Sequence, residues 1–354
     1  MTLLGLTASL AACSDPATAV RRFQAFGTEV HVEILHAGTP AAAANAAAAV
    51  TELESRFRVA ERDWYAFGSG ELARVNELLV RGQPAPVSAD LAPLITRAMA
   101  LHALSGGRFD PGVCALVRLW QFDSQESLAT AAGPPPSAEV QALRARQGTL
   151  ADLRFDGRTV SATRPLCVDL GGMAKGTAIE RARAVFAEHG IRNALLDLGG
   201  SSQLALGRKG DRPWYIGIRH PREDRVIARL ALESGEATAT SGDYENAYVQ
   251  AGRRYHHVLD PRTGTPTDGT ASTTVLAADA ELAEAATKAL MVGGKGQFHA
   301  VCAAMGLTHA LLITARGELL TTSGMATRLQ RDNGGRLPVI DWPAPAETGN
   351  GADL

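Results

Sequence analysis

Two histidines and several turn-forming polar residues stand close together in the segment Tyr255–Gly264 (YHHVLDPRTG). A short apolar piece follows His256 and His257, and an Asp-Pro turn that contains Asp260 and Thr263 comes next. Histidine has an ordinary pKa near ~6.5, so His257 is suited to accept a proton at neutral pH. Because side chains alternate along a strand, His256 is expected to face the other way. The segment therefore indicates either the edge of an active site or a hairpin with structural histidines.

Glycines and a lysine mark a second candidate site in Val168–Gly176 (VDLGGMAKG), where a predicted strand meets a predicted helix. Main-chain N–H groups and the helix dipole favour phosphate at such a place, and Lys175 adds a positive charge. The spacing matches neither the P-loop nor the dinucleotide-binding fingerprint. Leu195–Gly200 (LLDLGG) is a second glycine-rich strand end, and Thr238–Tyr248 (TATSGDYENAY) places Asp243 among hydroxyl groups. Each segment alone is as consistent with a structural turn as with a ligand site.

Helices and hairpins alternate in the elements that must position these residues. Periodicity predicts strands at 26–35, 153–156, 159–162, 167–172, 194–200, 213–221 and 272–280, and a closing hairpin at 309–325. Helices are predicted from Pro40 to about Arg62, from Ser88 as N-cap to Gly106, from 173 to 190, from 281 to 294 and from 294 to 305. This order predicts an α+β fold with mixed or antiparallel sheets and packed helices.

Composition excludes some classes of function. The chain has 354 residues, a formal net charge of −2 and no basic cluster, so a nucleic-acid partner is not expected. Its length is sufficient for a large core without disulfides. Cys114, Cys167 and Cys302 lie far apart in apolar surroundings, which predicts free buried thiols.

The N-terminus resembles a bacterial lipoprotein signal. An apolar stretch ends in Leu10-Ala11-Ala12-Cys13, which predicts cleavage before a lipidated Cys13, although no Lys or Arg precedes it. A signal cut without lipidation, or an apolar strand, is the alternative. The predicted organisation is a signal peptide at 1–13, a linker at 14–22, one domain at 23–330 and a tail at 331–354.

Taken in order, the motifs of this chain resemble the ApbE family of FAD:protein FMN transferases. The matching pieces are FGTEVHVEI, SGELARVN, GGRFDPGVCALVRLWQF, VDLGGMAKG, LLDLGGS, ATSGDYENAY, HHVLDPRTG and VLAADAELAEAATKALMVGG. They span about residues 23–325. The resemblance implies an ApbE-like, T-fold-like core. It also implies transfer of FMN from FAD to a threonine or serine hydroxyl, through a phosphoester bond, with release of AMP and dependence on Mg²⁺.

The resemblance assigns roles to individual residues. Catalytic roles are implied for His257, Lys175 and Asp243. FAD binding is implied for Tyr65, Glu71, Asp169, Gly171, Gly172, Lys175, Ser241, Gly242 and His257. Within that set, Gly171, Gly172 and Lys175 are expected against the phosphates.

The implied metal site departs from the family pattern. The family uses a main-chain carbonyl, here that of Ala174, and an aspartate four residues before a threonine. Thr287 matches the threonine, but Ala283 stands at the aspartate position, and Glu284 is the nearest acid. Residues three apart share a helix face, so Glu284 is expected to replace the aspartate as metal ligand. The alternative is that the metal site has been lost.

The resemblance also implies partners and location. Expected acceptors are subunits of membrane electron-transport complexes that carry an Asp/Ser-Gly-Ala/Ser-Thr type segment. The protein is expected on the periplasmic face of a bacterial membrane, lipid-anchored at Cys13. Two other functions stay open, namely FAD binding with little or no transfer and hydrolysis of FAD to FMN and AMP.

Overall fold

The computed structural model describes residues 16–330, which form eighteen strands. In chain order these are β1 (Pro16–Ala25), β2 (Thr28–Ala37), β3 (Ala85–Pro86), β4 (Leu153–Phe155), β5 (Thr159–Ala162), β6 (Asn193–Leu198), β7 (Ser202–Leu206), β8 (Trp214–Arg219), β9 (Val226–Leu232), β10 (Ala237–Gly242), β11 (Ala247–Gln250), β12 (Arg253–His256), β13 (Leu259–Asp260), β14 (Thr265–Pro266), β15 (Thr270–Ala277), β16 (Ala310–Thr314), β17 (Leu319–Thr321) and β18 (Leu329–Gln330).

The same described residues form nine α-helices. These are α1 (Pro40–Trp64), α2 (Glu71–Val80), α3 (Ala92–Leu104), α4 (Cys114–Leu119), α5 (Gln125–Ala129), α6 (Ser137–Arg146), α7 (Gly171–Glu188), α8 (Ala280–Ala304) and α9 (Ser323–Arg328). Helices and antiparallel sheets are interleaved along the chain, so the predicted α+β class is confirmed.

An eight-stranded sheet forms the centre of the fold, in the order β1-β2-β6-β7-β10-β15-β16-β17, and every neighbouring pair is antiparallel. Helices α1, α7 and α8 pack on one face. The small sheet β18-β9-β8 covers much of the other face through side chains such as Trp214 and Leu230. Because both faces are covered, the central strand β15 is buried along nearly its whole length.

The alternation of buried apolar and more exposed residues in β2 fixes its register. Val30, Val32 and Ile34 are fully buried and lie opposite residues of β6, with Val30 paired to Leu198 and Ile34 to Ala194. Each fully buried Val or Ile side chain contributes about 1.5–3 kcal/mol of hydrophobic stabilisation. A shift of one residue would turn all three toward the other face, so the register is strongly specified.

Helix α1 follows the predicted signals. Thr39 Oγ1 accepts a hydrogen bond from the Ala42 N–H at 3.2 Å, and Pro40 occupies the first turn. Residues spaced three or four apart, among them Leu53 and Phe57, are buried against the sheet.

The prediction of three free cysteines is wrong for two of them. Cys114 in α4 and Cys167, just before α7, form a disulfide with a Cα–Cα distance of 5.2 Å. They are 53 residues apart, so their proximity depends on the tertiary fold and has no signal in local spacing. Cys302 is free and buried, as predicted.

The predicted linker at 14–22 is also wrong for the residues that the structure describes. Residues 16–22 belong to strand β1, which pairs with β2 along its whole length. The side chains of Arg21 and Arg22 are exposed while Phe23 and Ala25 are buried, so one face of this strand is polar. The predicted signal peptide at 1–13 and the tail at 331–354 lie outside the described residues.

Other predicted boundaries can be compared with the structure. The segment before α7, Val168–Leu170, forms no strand. Ser88 caps the turn before α3 rather than the helix itself, because its Oγ accepts from the Leu91 N–H at 3.1 Å and α3 begins at Ala92. The two helices predicted on either side of residue 294 are confirmed, because the range of α8 contains a non-helical kink at Gly294 with φ 59 that separates them.

Among residues 16–330, no helix combines the length and apolar character that crossing a membrane requires.

Candidate active site

The first turn of α7 brings several predicted site residues together. The helix begins at Gly171, whose N–H donates to Asp169 Oδ1 at 2.8 Å. The Asp169 N–H in turn donates to the Pro111 carbonyl at 2.8 Å. Burial raises the pKa of Asp169, and the bond from Gly171 acts against that rise. An 18-residue helix that starts next to Gly172 and Lys175 offers the free N-terminus that anions bind.

Lys175 is tied to the turn between β6 and β7, where its ammonium donates to Ser201 Oγ. Gly199 in that turn has φ 67, and a Cβ there would lie 2.0 Å from Thr28 Oγ1, so the turn requires glycine. Burial lowers the pKa of Lys175, and the nearby charge of Glu284 acts against this shift. The glycine-rich LLDLGG segment therefore forms the turn that places Ser201, the next residue, within hydrogen-bond distance of Lys175.

Helices α7 and α8 cross in close contact beside Lys175. A Cβ on Gly176 would lie 2.6 Å from the Ala280 carbonyl oxygen, so only glycine fits. At the next residue of α7, Thr177 Oγ1 donates to Glu281 Oε1 at 2.7 Å. This crossing places the acid and the lysine of α8 next to α7.

Glu284 is buried, with 2% of its surface exposed, and both of its carboxylate oxygens have partners. Ser202 Oγ donates to Oε1, and the Lys288 ammonium donates to Oε2. Burial acts to raise the pKa of Glu284, but the charges of Lys288 and Lys175 outweigh it, so the pKa lies below its ordinary value. Glu284 is therefore an ionised carboxylate held in an ion pair.

Thr287 joins α8 to the central sheet. Its Oγ1 donates to the main-chain carbonyl of Glu284 at 2.7 Å. Because that bond uses the hydroxyl proton, Ser241 Oγ is the donor in the 2.8 Å contact with Thr287 Oγ1. The Thr287 carbonyl accepts from Thr273 Oγ1 at 3.0 Å. Thr287 thus connects Ser241 of β10 to the main chain of Glu284.

His257 is held in one tautomer. Its Nδ1 lies 3.0 Å from the Glu245 carbonyl oxygen, and a carbonyl only accepts, so Nδ1 carries the proton and Nε2 is the basic nitrogen. Burial lowers the pKa of His257 to about 3, the neighbouring His256 adds to the shift, and the charges of Lys288 and Lys175 contribute less. His257 is therefore neutral at pH 7 and lies within electrostatic reach of both lysines.

The neighbouring His256 has a structural role. It is buried, and its Nε2 donates to the Thr267 carbonyl at 2.9 Å. Asp260 fixes the following turn as predicted, because its Oδ1 accepts from the Arg262 N–H at 2.8 Å and its carbonyl accepts from the Thr263 N–H at 3.2 Å. The two histidines therefore have separate partners and separate roles.

Asp243 is engaged by an arginine that the sequence did not indicate. Arg222, in the loop after β8, donates to both carboxylate oxygens of Asp243 at 2.6 Å. The Asp243 N–H donates to the Ala271 carbonyl at 2.9 Å. This bidentate pair holds the Ser241-Gly242-Asp243 segment in place, which makes Asp243 a positioning residue rather than a free acid.

Tyr65 and Glu71 lie apart from this cluster. The Tyr65 hydroxyl donates to the Asp123 carbonyl. Burial raises the pKa of Tyr65, and the charge of Asp169 adds to the effect, so Tyr65 is near the start of α7. The Glu71 carboxylate accepts from both the N–H and the Oγ of Ser88, each at 2.6 Å. Tyr65 therefore fits the mouth of the site, whereas Glu71 supports the turn before α3.

The predicted metal ligands do not fit a magnesium ion. Mg²⁺ requires oxygen ligands in octahedral geometry. Ala283 contributes only a buried methyl group to the apolar core, and the Glu284 carboxylate is occupied by Lys288 and Ser202. Among residues 16–330 there is no cluster of three His, Cys, Asp or Glu side chains that would hold a metal. Ala174 lies within α7, where main-chain carbonyls accept from the residue four positions on.

The structure thus brings Lys175, Ser241, Glu284, Thr287 and His257 into one cluster beside Asp169, Gly171 and Gly172. Sequence reasoning missed Lys288, Ser201, Ser202 and Arg222. Lys288 had a signal, since a glutamate four residues before a lysine is a standard helical ion pair. The other three reach the cluster only through tertiary contacts.

The chain is similar to a known protein family and to several known proteins. Residues 26–312 match the family model described as ApbE family. The chain is 38% identical over 329 residues to the "FAD:protein FMN transferase" of Rhodobacter capsulatus, covering 91% of this chain and 61% of the relative. It is 33% identical over 246 residues to the protein of the same name from Vibrio cholerae serotype O1, covering 69% of this chain and 72% of the relative. The chain thus spans about three fifths of the length of the Rhodobacter relative.

Solved structures show the same likeness. The "apbe protein" of Thermotoga maritima superposes with a TM-score of 0.79 at 29% identity, covering 88% of this chain and 99% of that one. The "Flavin Transferase ApbE from Vibrio cholerae" gives a TM-score of 0.76 at 26% identity, covering 88% and 99%.

Proposed function

The chain belongs to the ApbE family, and we propose that it transfers the FMN portion of FAD to a threonine or serine hydroxyl of an acceptor protein, releasing AMP. The names of the similar proteins support this activity. The observation that carries the proposal is the position of His257. Its basic nitrogen belongs to a neutral ring that interacts electrostatically with Lys175, and Lys175 lies in the glycine-rich N-terminal part of α7.

The residues around α7 are suited to bind the two halves of FAD. Its diphosphate matches the helix N-terminus at Gly171 and Gly172, with Lys175 as counter-charge. Ser241 and Gly242 at the end of β10, together with Asp169, border the same region and are assigned to the flavin nucleotide. Tyr65, with 41% of its surface exposed, is assigned to the entrance.

The transfer step is a displacement at the phosphorus of the FMN half. The acceptor hydroxyl oxygen forms a new P–O bond, the bond to the bridging oxygen breaks, and AMP leaves with that electron pair. The hydroxyl proton passes to His257 Nε2, since Nδ1–H is held by the Glu245 carbonyl. A bound diphosphate acts against the two lysine charges that lower the pKa of His257, so substrate binding makes this base stronger.

The magnesium ion that the sequence resemblance implies has no fitting donor set among residues 16–330. The charge that builds up on the leaving phosphate must therefore be met by the protein's own cations. Lys175 is the first of these, because phosphoryl transfer depends mainly on positioning and charge neutralisation.

Location and partners form a further part of the proposal. We place the protein on the periplasmic face of a bacterial membrane, anchored through Cys13, with acceptor flavoprotein subunits that carry an Asp/Ser-Gly-Ala/Ser-Thr type segment. The Cys114–Cys167 disulfide supports an oxidising compartment. The Leu10-Ala11-Ala12-Cys13 sequence supports lipidation.

The test is flavin labelling of an acceptor. Protein, FAD, magnesium and an acceptor with that segment are mixed, and flavin fluorescence of the acceptor is recorded on a denaturing gel. We expect labelling that falls by about 10²–10⁴-fold in His257→Ala, and a strong loss in Lys175→Ala. His36→Ala is the control, because His36 lies in β2 and bonds only the carbonyl of its neighbour Ala37.

The flavin products of the same reaction distinguish transfer from flavin binding alone and from hydrolysis of FAD. FAD that is bound but unchanged would mark a flavin-binding protein. Release of FMN and AMP without labelling would mark a hydrolase, and either result with a competent acceptor would refute the transfer.

A further inference from the structure

The Glu284–Lys288 ion pair occupies the place where a metal-binding acid is expected. Lys288 is four residues after Glu284 on α8, and its ammonium donates to Glu284 Oε2. Only 3% of the Glu284 side chain and 18% of the Lys288 side chain are exposed. A pair this well buried, with Ser202 on the other carboxylate oxygen, is a permanent part of the site rather than a surface contact.

Two lysines lie near the carboxylate of Glu284. Lys175 and Lys288 both interact with Glu284 electrostatically, and each also acts on His257. One buried carboxylate between two lysines attracts no divalent cation, because the nearer ammonium already neutralises it.

Lys288 also reaches the helix end where an anion is expected. A Cβ on Gly172 would lie 3.9 Å from Lys288 Cε, so the lysine stem passes alongside the first turn of α7. Lys175 is on the next turn of the same helix. The two ammonium groups therefore border the N-terminus of α7, whose dipole favours the same negative ligand.

From these contacts we infer that the Lys288 ammonium stands in for a divalent cation, and that Lys175 and Lys288 together bind the FAD diphosphate without magnesium. This inference rests on the proposed function for the identity of the diphosphate. Each ammonium has three N–H donors, and Lys288 uses one of them on Glu284 Oε2. The remaining donors, with the one net positive charge that the two lysines leave beside Glu284, face the diphosphate. When the bridging bond breaks, the same groups face the charge that appears on AMP.

The test has a binding arm and an activity arm. Magnesium chloride is titrated calorimetrically into protein that carries bound FAD, with FAD alone as blank. Flavin labelling of the acceptor is then compared in EDTA and in magnesium. For the native chain we expect no saturable magnesium binding and a labelling rate that EDTA changes by less than about twofold.

Replacement of Lys288 tests directly whether its ammonium takes the place of a divalent cation. Lys288→Thr removes the ammonium and leaves Glu284 free to bind a cation, so we expect measurable magnesium binding and a labelling rate at least about tenfold lower in EDTA than in magnesium. Lys288→Arg keeps the charge and is expected to remain independent of magnesium. Lys295→Thr is the matched control, because Lys295 lies on the same helix but pairs with Glu318 at the surface.

Saturable magnesium binding by the native chain, with labelling that stops in EDTA, would overturn the inference and leave the transfer function intact. If no acceptor is labelled under any condition, the proposed function fails, and the calorimetric comparison of the native chain with Lys288→Thr still decides the inference. Unchanged magnesium binding in Lys288→Thr would also count against it, provided that its thermal unfolding midpoint matches that of Lys295→Thr. If Lys288→Thr unfolds at a lower temperature than Lys295→Thr, the same magnesium titration is made on Lys288→Met, which lacks the charge but keeps the apolar stem of the side chain.

Discussion

Gly176 of α7 and Ala280 of α8 lie so close together that a Cβ on Gly176 would be 2.6 Å from the Ala280 carbonyl oxygen. This contact sets the separation of the two helices at the level of the site. Lys175 precedes the contact on α7, and Glu284 follows it by one turn on α8. The distance between Lys175 and Glu284 is therefore set by Gly176, which has no functional group of its own.

Replacing Gly176 by alanine should push the helices apart. We expect a loss of about 1–3 kcal/mol in the free energy of unfolding, as for other overpacked sites, together with weaker FAD binding. Gly296→Ala is the control, because no atom lies within 4 Å of a Cβ at Gly296, and alanine inside a helix is neutral or stabilising by up to about 1 kcal/mol. Urea unfolding and FAD titration measure both effects, and equal results for the two variants would contradict the argument.

Loss of Arg222 should destabilise the end of β10. Arg222→Ala leaves the carboxylate of Asp243, of which only 9% of the side chain is exposed, without its bidentate partner. We expect a cost of about 2–4 kcal/mol, because an unpaired buried charge is unfavourable. Arg225→Ala breaks an exposed pair with Glu223 and should cost less than about 1 kcal/mol. Chemical denaturation compares the two variants, and a cost for Arg222→Ala as small as for Arg225→Ala would show that the pair is not structural.

Local patterns in the sequence predicted many elements correctly. Helix α1 with its Thr39 cap, the hairpin of β4 and β5, and the closing hairpin of β16 and β17 all depend on periodicity and turn residues within a few positions. The grouping of His257 with Lys175 came from the family resemblance, since nothing local connects two residues 82 positions apart.

What the sequence failed to predict depends on contacts between distant segments. The Cys114–Cys167 bond joins residues whose separation of 53 carries no local signal. Strand β1 was missed because Arg21 and Arg22 project outward while the strand gains its stability from pairing with β2. The sequence shows Lys288 four residues after Glu284 on a predicted helix. Its proposed role in binding a phosphate depends on Gly172 and Lys175 of α7, which only the tertiary fold places nearby.

The state of the three cysteines can be measured by alkylation in a Cys13→Ser variant. The folded protein should take up no label, because Cys114 and Cys167 are paired and burial raises the pKa of Cys302 to about 12. Unfolding without reductant should expose one thiol, and unfolding with reductant three. Mass spectrometry counts the labels, and three labels without reductant would exclude the disulfide.

The same disulfide should support the fold. Cys114→Ser with Cys167→Ser is expected to lower the free energy of unfolding by about 2–5 kcal/mol. Reductant should weaken the native chain by a similar amount and leave the double variant unchanged. Equal stability of the native chain and the double variant in the absence of reductant would show that the bond contributes nothing.

His257 should make the stability of the substrate-free protein depend on pH in the acid range. Its pKa is about 3 when folded, against an ordinary value of 6.5. Below pH 6.5 the unfolded chain binds a proton at this residue that the folded chain does not. The stabilising contribution is therefore complete above 6.5 and falls as the pH is lowered toward 3. By about pH 5 the loss should reach about 2 kcal/mol.

His257→Asn is the matched variant for this measurement, because its amide can still donate to the Glu245 carbonyl but does not titrate. Between neutral pH and about pH 5 the native chain should lose about 2 kcal/mol more stability in urea than His257→Asn. The imidazole NMR signals of His257 should likewise show no midpoint near neutrality. A midpoint near 6.5, or parallel stability curves for the two proteins, would mean that the lysines and the buried position do not hold this ring neutral.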